Sequence, residues 1–166
     1  MITLFIGRFQ PFHKGHLHDI KEASQFSDNV IIGIGSSQES NTSENPFSFD
    51  ERKEMIEKVL MKNNLTNYTI LPIPDINDDK KWVAHVVSIV DSFDVVYTGN
   101  EWVKKLFQRK GFEVKDVTLL KDINATEIRR RIDRNENWEE LVPHEIAEFI
   151  RKIEGVNKIK EINGKL

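Results

Sequence analysis

The segment Gly7-Arg8-Phe9-Gln10-Pro11-Phe12-His13-Lys14-Gly15-His16 places two imidazoles, a guanidinium and an ammonium group within one short stretch of chain. It follows an apolar run, Ile2 to Ile6, and precedes a stretch in which Leu17, Ile20 and Ala23 or Ser24 share a helical face. That order predicts a strand, a tight loop and a helix start. Free backbone N–H groups and the positive end of the dipole favour an anion at a helix start. Arg8, His13, Lys14 and His16 add the donors that make such a place a phosphate grip. His13 and His16 are three apart, so they share a face and can converge on one phosphate. Without context the pair reads first as ordinary surface or metal-binding residues. A third ligand at helical spacing would favour a metal, but His18 points elsewhere and His85 and His144 lie in other helices. Gly15, between the pair, is read as leaving room for a substrate to approach the backbone.

A second constellation is Ile123-Asn124-Ala125-Thr126-Glu127-Ile128-Arg129-Arg130-Arg131. Asn124 with Glu127 predicts a capping box, with Ile128 and Ile132 facing inward. Thr126 and the first-turn amides then offer donors, with Arg129 beside them. Arg130, Arg131 and Arg134 read as a solvated basic face. No aromatic residues interleave with these arginines, so a nucleic-acid role gains no support.

The elements that must position these groups alternate along the chain. Val30 to Gly35, Tyr68 to Ile73, Phe93 to Thr98 and Glu113 to Leu120 add four strands to the first. Between them, Ser48 and Glu51 form a capping box ahead of Met55, Ile56, Val59 and Leu60. Trp82, Val83, Val86, Ile89 and Val90 suit a buried helix. Asn100 caps a helix carrying Val103, Leu106 and Phe107 that Gly111 closes. Five strands interleaved with helices predict an α/β, Rossmann-like parallel sheet covered on both faces. Such sheets bind ligands beyond the carboxyl ends of their strands, where Gly7 to His16, Gly35 to Ser37 and Gly99-Asn100 all fall. Pro143 opens a helix with Ile146, Ile150 and Ile153. The charged tail from about 122 to 166 is read as a short helical appendage to one domain spanning 1–166.

With 166 residues the chain has length for one domain with a sizeable core. Its formal charge of −3 does not suit a general nucleic-acid binder. The absence of cysteine removes disulfides, thiol catalysis and thiolate zinc sites. No apolar run approaches the roughly 20 residues that cross a bilayer, and no signal segment precedes the first strand. A soluble, cytoplasmic protein without membrane partners is expected.

The first segment fits the HxGH motif of the nucleotidylyltransferase superfamily, and its Gly-Arg-Phe-Gln-Pro-Phe-His-Lys-Gly-His form resembles archaeal-type nicotinamide mononucleotide adenylyltransferases. The stretch around Thr126 and Arg129 is similar to the superfamily's second motif, ISSTxxR. The resemblance extends over Gly35-Ser36-Ser37, Asn45 to Ser48, Pro74-Asp75-Ile76, Trp82 to His85 and Tyr97 to Asn100, hence over nearly the whole chain. It implies direct adenylyl transfer from ATP to nicotinamide mononucleotide, giving NAD and pyrophosphate. It also implies that Mg²⁺ is held mainly by the ATP phosphates, with no protein metal site. His13, His16 and Arg129 would be catalytic. Gly7, Arg8, Phe9, Gln10, Lys14, Gly15, Gly99, Asn100 and Thr126 would line the ATP site. Ser36, Ser37, Asp75, Ile76 and Trp82 would receive the nicotinamide nucleotide, with Trp82 stacking on the pyridine ring. Taken alone, Trp82 reads as a core residue of an apolar helix. The resemblance further implies self-association, hexameric in archaeal-type members, to which Trp102 and Trp138 could contribute.

Three departures from the family pattern stand out. Asn124 and Ala125 replace two serines, Glu44 stands where a basic residue is usual, and Asp78-Asp79-Lys80-Lys81 replaces an Asn-rich loop. An adenylyltransferase for phosphopantetheine or flavin, and a non-catalytic nucleotide sensor, are the competing readings. A class I aminoacyl-tRNA synthetase fragment would need insertions that this chain is too short to hold.

Overall fold

In a computed structural model, which describes residues 1–118, 120 and 122–165, five parallel strands form one sheet in the order β3-β2-β1-β4-β5. The strands are β1 (Ile2–Gly7), β2 (Asn29–Gly35), β3 (Tyr68–Ile73), β4 (Val95–Thr98) and β5 (Val114–Asp116). The helices are α1 (Lys14–Phe26), α2 (Phe49–Lys62), α3 (Asp79–Val90), α4 (Glu101–Arg109), α5 (Ala125–Asp133), α6 (His144–Lys152) and α7 (Gly155–Ile162). The chain winds outward from β1 to β3, then returns to lay β4 on the other side of β1. The strand order therefore reverses between β1 and β4, and a crevice opens beyond their carboxyl ends.

Alternation along each strand sends successive side chains to opposite faces. Phe5, Val30, Ile32, Ile34 and Tyr97 join a core with α1, α2, α5, α6 and α7. Leu4, Ile31, Ile73 and Val96 join a second core with Trp82, Val83, Val86 and Val90 of α3 and Val103 and Phe107 of α4. The reversal of winding puts these two helix groups on opposite faces, as right-handed crossovers require.

The tail expected as an appendage is built into the first core. Ile128, Ile132, Trp138, Ile146, Phe149, Ile150 and Ile159 are all buried there with α1 and α2. Trp138 is only 7% exposed, so it is not available to a subunit interface. The fifth strand is shorter than the predicted Glu113 to Leu120, of which Leu119 lies outside the described residues. As an edge strand it has a partner on one side alone. The box predicted at Ser48 and Glu51 forms reciprocally, at 3.1 and 2.9 Å. That predicted at Asn124 forms by half: Asn124 accepts from the Glu127 amide at 2.8 Å. The Glu127 carboxylate is instead taken by Arg130 and Arg131.

One side chain in α2 holds the rim together. Arg52 is fully buried, and its Nε donates to Ser48 O, its Nη1 to Arg8 O and Gly35 O, and its Nη2 to Ser36 O and Glu39 O, at 2.8–3.4 Å. A guanidinium has five N–H donors, and here all five are used on backbone carbonyls. The loops that leave β1 and β2 are thus tied to one cation. A second tie is reciprocal: Gln10 Nε2 donates to Phe47 O at 3.0 Å and Phe47 N to Gln10 Oε1 at 2.9 Å. Arg52→Lys supplies three donors for five acceptors, and Arg52→Met none. Each is expected to lower unfolding free energy by about 3 kcal/mol or more, with Met the worse, in urea titrations.

Candidate active site

At the crevice the first histidine caps the helix that carries the second. His13 is the N-cap of α1, and its Nδ1 accepts from the His16 amide at 3.3 Å. His16 Nδ1 in turn accepts from the His13 amide at 3.2 Å. This is a capping box built from two imidazoles, which stack with ring centroids 3.6 Å apart. Because each Nδ1 is an acceptor, the proton of each neutral ring sits on Nε2. Both rings therefore keep one N–H donor for a ligand. Burial pushes the His13 pKa down to about 4. Burial first, and the neighbouring His13 second, push His16 well below the usual histidine value. The pair meets a ligand as neutral donors rather than as cations.

Gly15 serves this stack. A Cβ there would lie 2.9 Å from His13 Cε1 and 3.0 Å from its Nδ1, so the glycine leaves room for the imidazole rather than for a substrate. Phe9 has φ 55°, and its buried ring lies 4.6 Å from that of His16.

A cavity of about 390 Å³, within the range of small-molecule sites, gathers Gly7, Arg8, Phe9, Gln10, His13, His16, Gly99, Asn100, Thr126 and Arg129. Asn124 and Ala125 line it as well. Arg129 points across the crevice to Gln10 O, at 2.9 Å. The Gln10 amide is occupied by Phe47, so Gln10 offers the cavity no free side-chain group. Asn100 likewise spends its Oδ1 on the Trp102 and Val103 amides as the cap of α4. Arg130 and Arg131 are held by Glu127, Glu136 and Glu140. Lys14 is exposed and, with Gly15, stays outside the cavity lining.

A second cavity, past the ends of β1 and β2, contains Ser36, Asp75 and Trp82 together with Gly35 and Trp102. Gln38 orders Asp75, its Oε1 accepting from the Asp75 amide at 3.0 Å. Ser37 and Ile76 are not in its lining. A third cavity holds Arg8, Ser43, Glu44, Thr126, Arg129 and Arg130. Glu44 lies 3.8 Å from Arg8, so the departure noted in sequence places a carboxylate beside the guanidinium. Arg8 lines all three cavities and so marks their junction. A larger groove between α2 and α6, lined by Lys58, Met61 and Phe149, lies away from the strand ends.

Arg52, Asp19 and Trp102 were not legible as site residues. Arg52 had one signal: a cation in the first turn of a helix opposes the dipole and needs a local reason. Asp19 lines the main cavity, and burial raises its carboxyl to about 6. His18, Asp19 and Glu22 present potential ligand atoms within 4.8 Å of one another. Glu22 is already engaged by the Tyr97 hydroxyl and by Thr118.

Residues 4–131 match the family model described as cytidylyltransferase-like. A nicotinamide-nucleotide adenylyltransferase from Thermococcus kodakarensis is 52% identical over 95% of this chain and 86% of its own. One from Methanococcus aeolicus is 47% identical over 99% and 96%. Among solved structures, a bifunctional NMN adenylyltransferase/ADP ribose pyrophosphatase from Francisella tularensis, complexed with AMP and a manganese ion, superposes with a TM-score of 0.80 at 30% identity. The match covers 97% of this chain and 51% of that one, so this chain spans about half the length of that protein.

From about pH 6.5 down to about 4, unfolded histidines bind protons that folded His13 and His16 refuse, so stability rises with pH across that window. Asp19 acts oppositely between 3.8 and about 6, where the folded form keeps a proton that the unfolded form has released. Two imidazoles outweigh one carboxyl. The urea midpoint is therefore expected to fall on acidification through this window. His13→Asn keeps a capping oxygen but removes one titration, and it should flatten that fall.

Proposed function

The chain belongs to the cytidylyltransferase-like family, and we propose that it transfers the adenylyl group of ATP to nicotinamide mononucleotide, forming NAD and releasing pyrophosphate. The observation that carries this reading is the stacked, neutral His13–His16 pair at the strand reversal, with Arg8 and Arg129 beside it. Among the described residues, no serine, cysteine or lysine lines that cavity. The site is thus equipped with donors and lacks those nucleophiles, which suits a reaction whose acceptor phosphate is itself the nucleophile.

An oxygen of the mononucleotide phosphate attacks the α-phosphorus of ATP in line. The bond from that phosphorus to the bridging oxygen breaks, and pyrophosphate leaves. The residues orient the two phosphates and stabilise charge spreading over their oxygens. His13 and His16 donate through Nε2. Arg8, at the junction of the three cavities, contacts phosphate on either side of the reacting bond. Arg129 and the first amides of α5 hold the departing end. The main cavity takes the adenylyl group and the cavity with Asp75 takes the pyridine nucleotide. Mg²⁺ enters with ATP as part of the substrate and offsets the triphosphate charge. The same reading carries a cytoplasmic location and self-association, the latter measurable by light scattering.

Incubation with MgATP and, separately, nicotinamide mononucleotide, its deamidated form and phosphopantetheine tests the reading. NAD with matching pyrophosphate is expected. Product from phosphopantetheine alone would overturn the substrate, and no product from any acceptor would overturn the activity. His16→Ala is expected to reduce turnover by about 10²–10³-fold with little change in KM for ATP, because its contact strengthens in the transition state. Arg131→Ala, whose guanidinium is held in ion pairs, should keep turnover near that of the unaltered protein.

A further inference from the structure

The main cavity gathers cations and imidazoles that suit phosphate oxygens, yet it also contains Asp19, the one carboxylate among the described residues of its lining. Asp19 is 7% exposed on α1. It follows His16 by three positions, so it shares that face of the helix and lies about 4.5 Å farther along the axis. Two apolar residues bracket it. A Cβ at Gly15 would lie 3.9 Å from Ile123 O, so the approach to α5 crosses the start of α1. Thr118 Oγ1 donates to Glu22 Oε1 at 3.4 Å, which lays the segment after β5 against the turn beyond Asp19. Val117 and Ile123, both packed on the first core, thus flank Asp19 along the helix, and both line the cavity. Glu22 is engaged by Thr118 and by the Tyr97 hydroxyl. Asp19 has one hydrogen-bond partner among the described residues, His18 Nδ1, 3.4 Å from its Oδ1. Burial raises its carboxyl to about 6, so near neutral pH it is largely ionised and accepts only. A buried carboxylate is unfavourable unless donors meet it, and here further donors must come from what enters the cavity.

We propose that Asp19 determines which base the nucleotide carries: its carboxylate accepts from the exocyclic amine of adenine, which lies between Val117 and Ile123. The inference rests on the function proposed above, in which the main cavity takes the adenylyl group. A phosphate beside Asp19 would meet like charge, so the triphosphate stays with His13, His16 and Arg129 and the nucleoside end reaches Asp19. At that end the base matches the apolar walls, and the ribose hydroxyls do not. Hypoxanthine and guanine present a carbonyl oxygen where adenine presents its amine. A carboxylate opposite that oxygen sets two acceptors against each other, with neither hydrogen-bonded. The site therefore rejects oxopurines.

Titration calorimetry of the full chain with ATP and with inosine triphosphate, each with Mg²⁺, tests this without requiring turnover. The unaltered protein is expected to bind ATP about tenfold or more tightly than inosine triphosphate, the scale of one hydrogen bond to a charged group. Asp19→Leu should bring the two affinities to within about twofold. Asp19→Asn can donate to a carbonyl oxygen as well as accept from an amine. It should narrow the gap while holding ATP affinity within about threefold, and it keeps the test open where Leu does not fold. The ratio of affinities for ATP and deoxyadenosine triphosphate should be the same in all three proteins. Equal binding of ATP and inosine triphosphate by the unaltered protein would overturn the proposal, as would an unchanged gap in the folded variants. So would a change in the deoxyadenosine ratio in place of the inosine one, which would put Asp19 on the ribose. Selective ATP binding without formation of NAD would instead contradict the activity alone, so the two failures are separable.

Discussion

The site depends on one buried cation. Arg52 lies in the first turn of α2, where the helix dipole disfavours positive charge, and no carboxylate is among its hydrogen-bond partners. Its charge is instead distributed over five carbonyl dipoles from the loops that follow β1 and β2. Ser36 O and Ser48 O also accept from the Glu39 and Arg52 amides, each at 3.0 Å, so the guanidinium adds to backbone bonds already present there, and cation and loops stabilise each other. The arrangement sets the backbone at Arg8, which lines the main cavity, and at Ser36, which lines the second. Phe9 and Ser36, at φ 55° and 46°, sit in left-handed conformations that side chains rarely adopt. Surrounding hydrogen bonds must over-determine such residues, and Arg52 and the Gln10–Phe47 pair supply those bonds.

The same economy governs the histidines. A helix start leaves amides without partners, and in α1 two of them are satisfied by the imidazoles that line the crevice. Capping sets the tautomer, the tautomer leaves Nε2–H as the donor, and burial keeps both rings neutral. Fold stability and chemistry thus share atoms, so a change at either histidine disturbs both. Arg129 adds charge from α5, a part of the chain that reaches the crevice only because the C-terminal helices pack into the core.

Much of this is legible in the sequence. The buried strands were clear because their β-branched runs have a length and flanking glycines that suit no helix. Ser48, Asn100 and Asn124 marked helix starts through local capping chemistry that needs no tertiary context. The spacing of His13 and His16 puts the two rings on one face at the start of α1, and Thr126 and Arg129 line the same cavity. Other features were hidden because they depend on what comes near in space. Arg52 is buried only because two loops distant in sequence close over it. Gly15 reads as an opening for substrate until the His13 ring is seen above it. Trp82, taken alone, reads as a core residue of an apolar helix, and it is buried there. The charged tail looked peripheral because its apolar residues are spread over three short helices.

The central claim is that these donors align two substrates for one direct displacement, without an adenylated side chain between. The stereochemistry at the α-phosphorus tests it most directly. The protein would be supplied with ATP bearing sulfur at one non-bridging position of the α-phosphate, in a single configuration, together with the mononucleotide. The configuration of the resulting dinucleotide would then be assigned by phosphorus NMR. One in-line attack gives inversion, which is the result expected here. Retention would require two successive displacements through a covalent adenylyl-protein, and it would contradict the account.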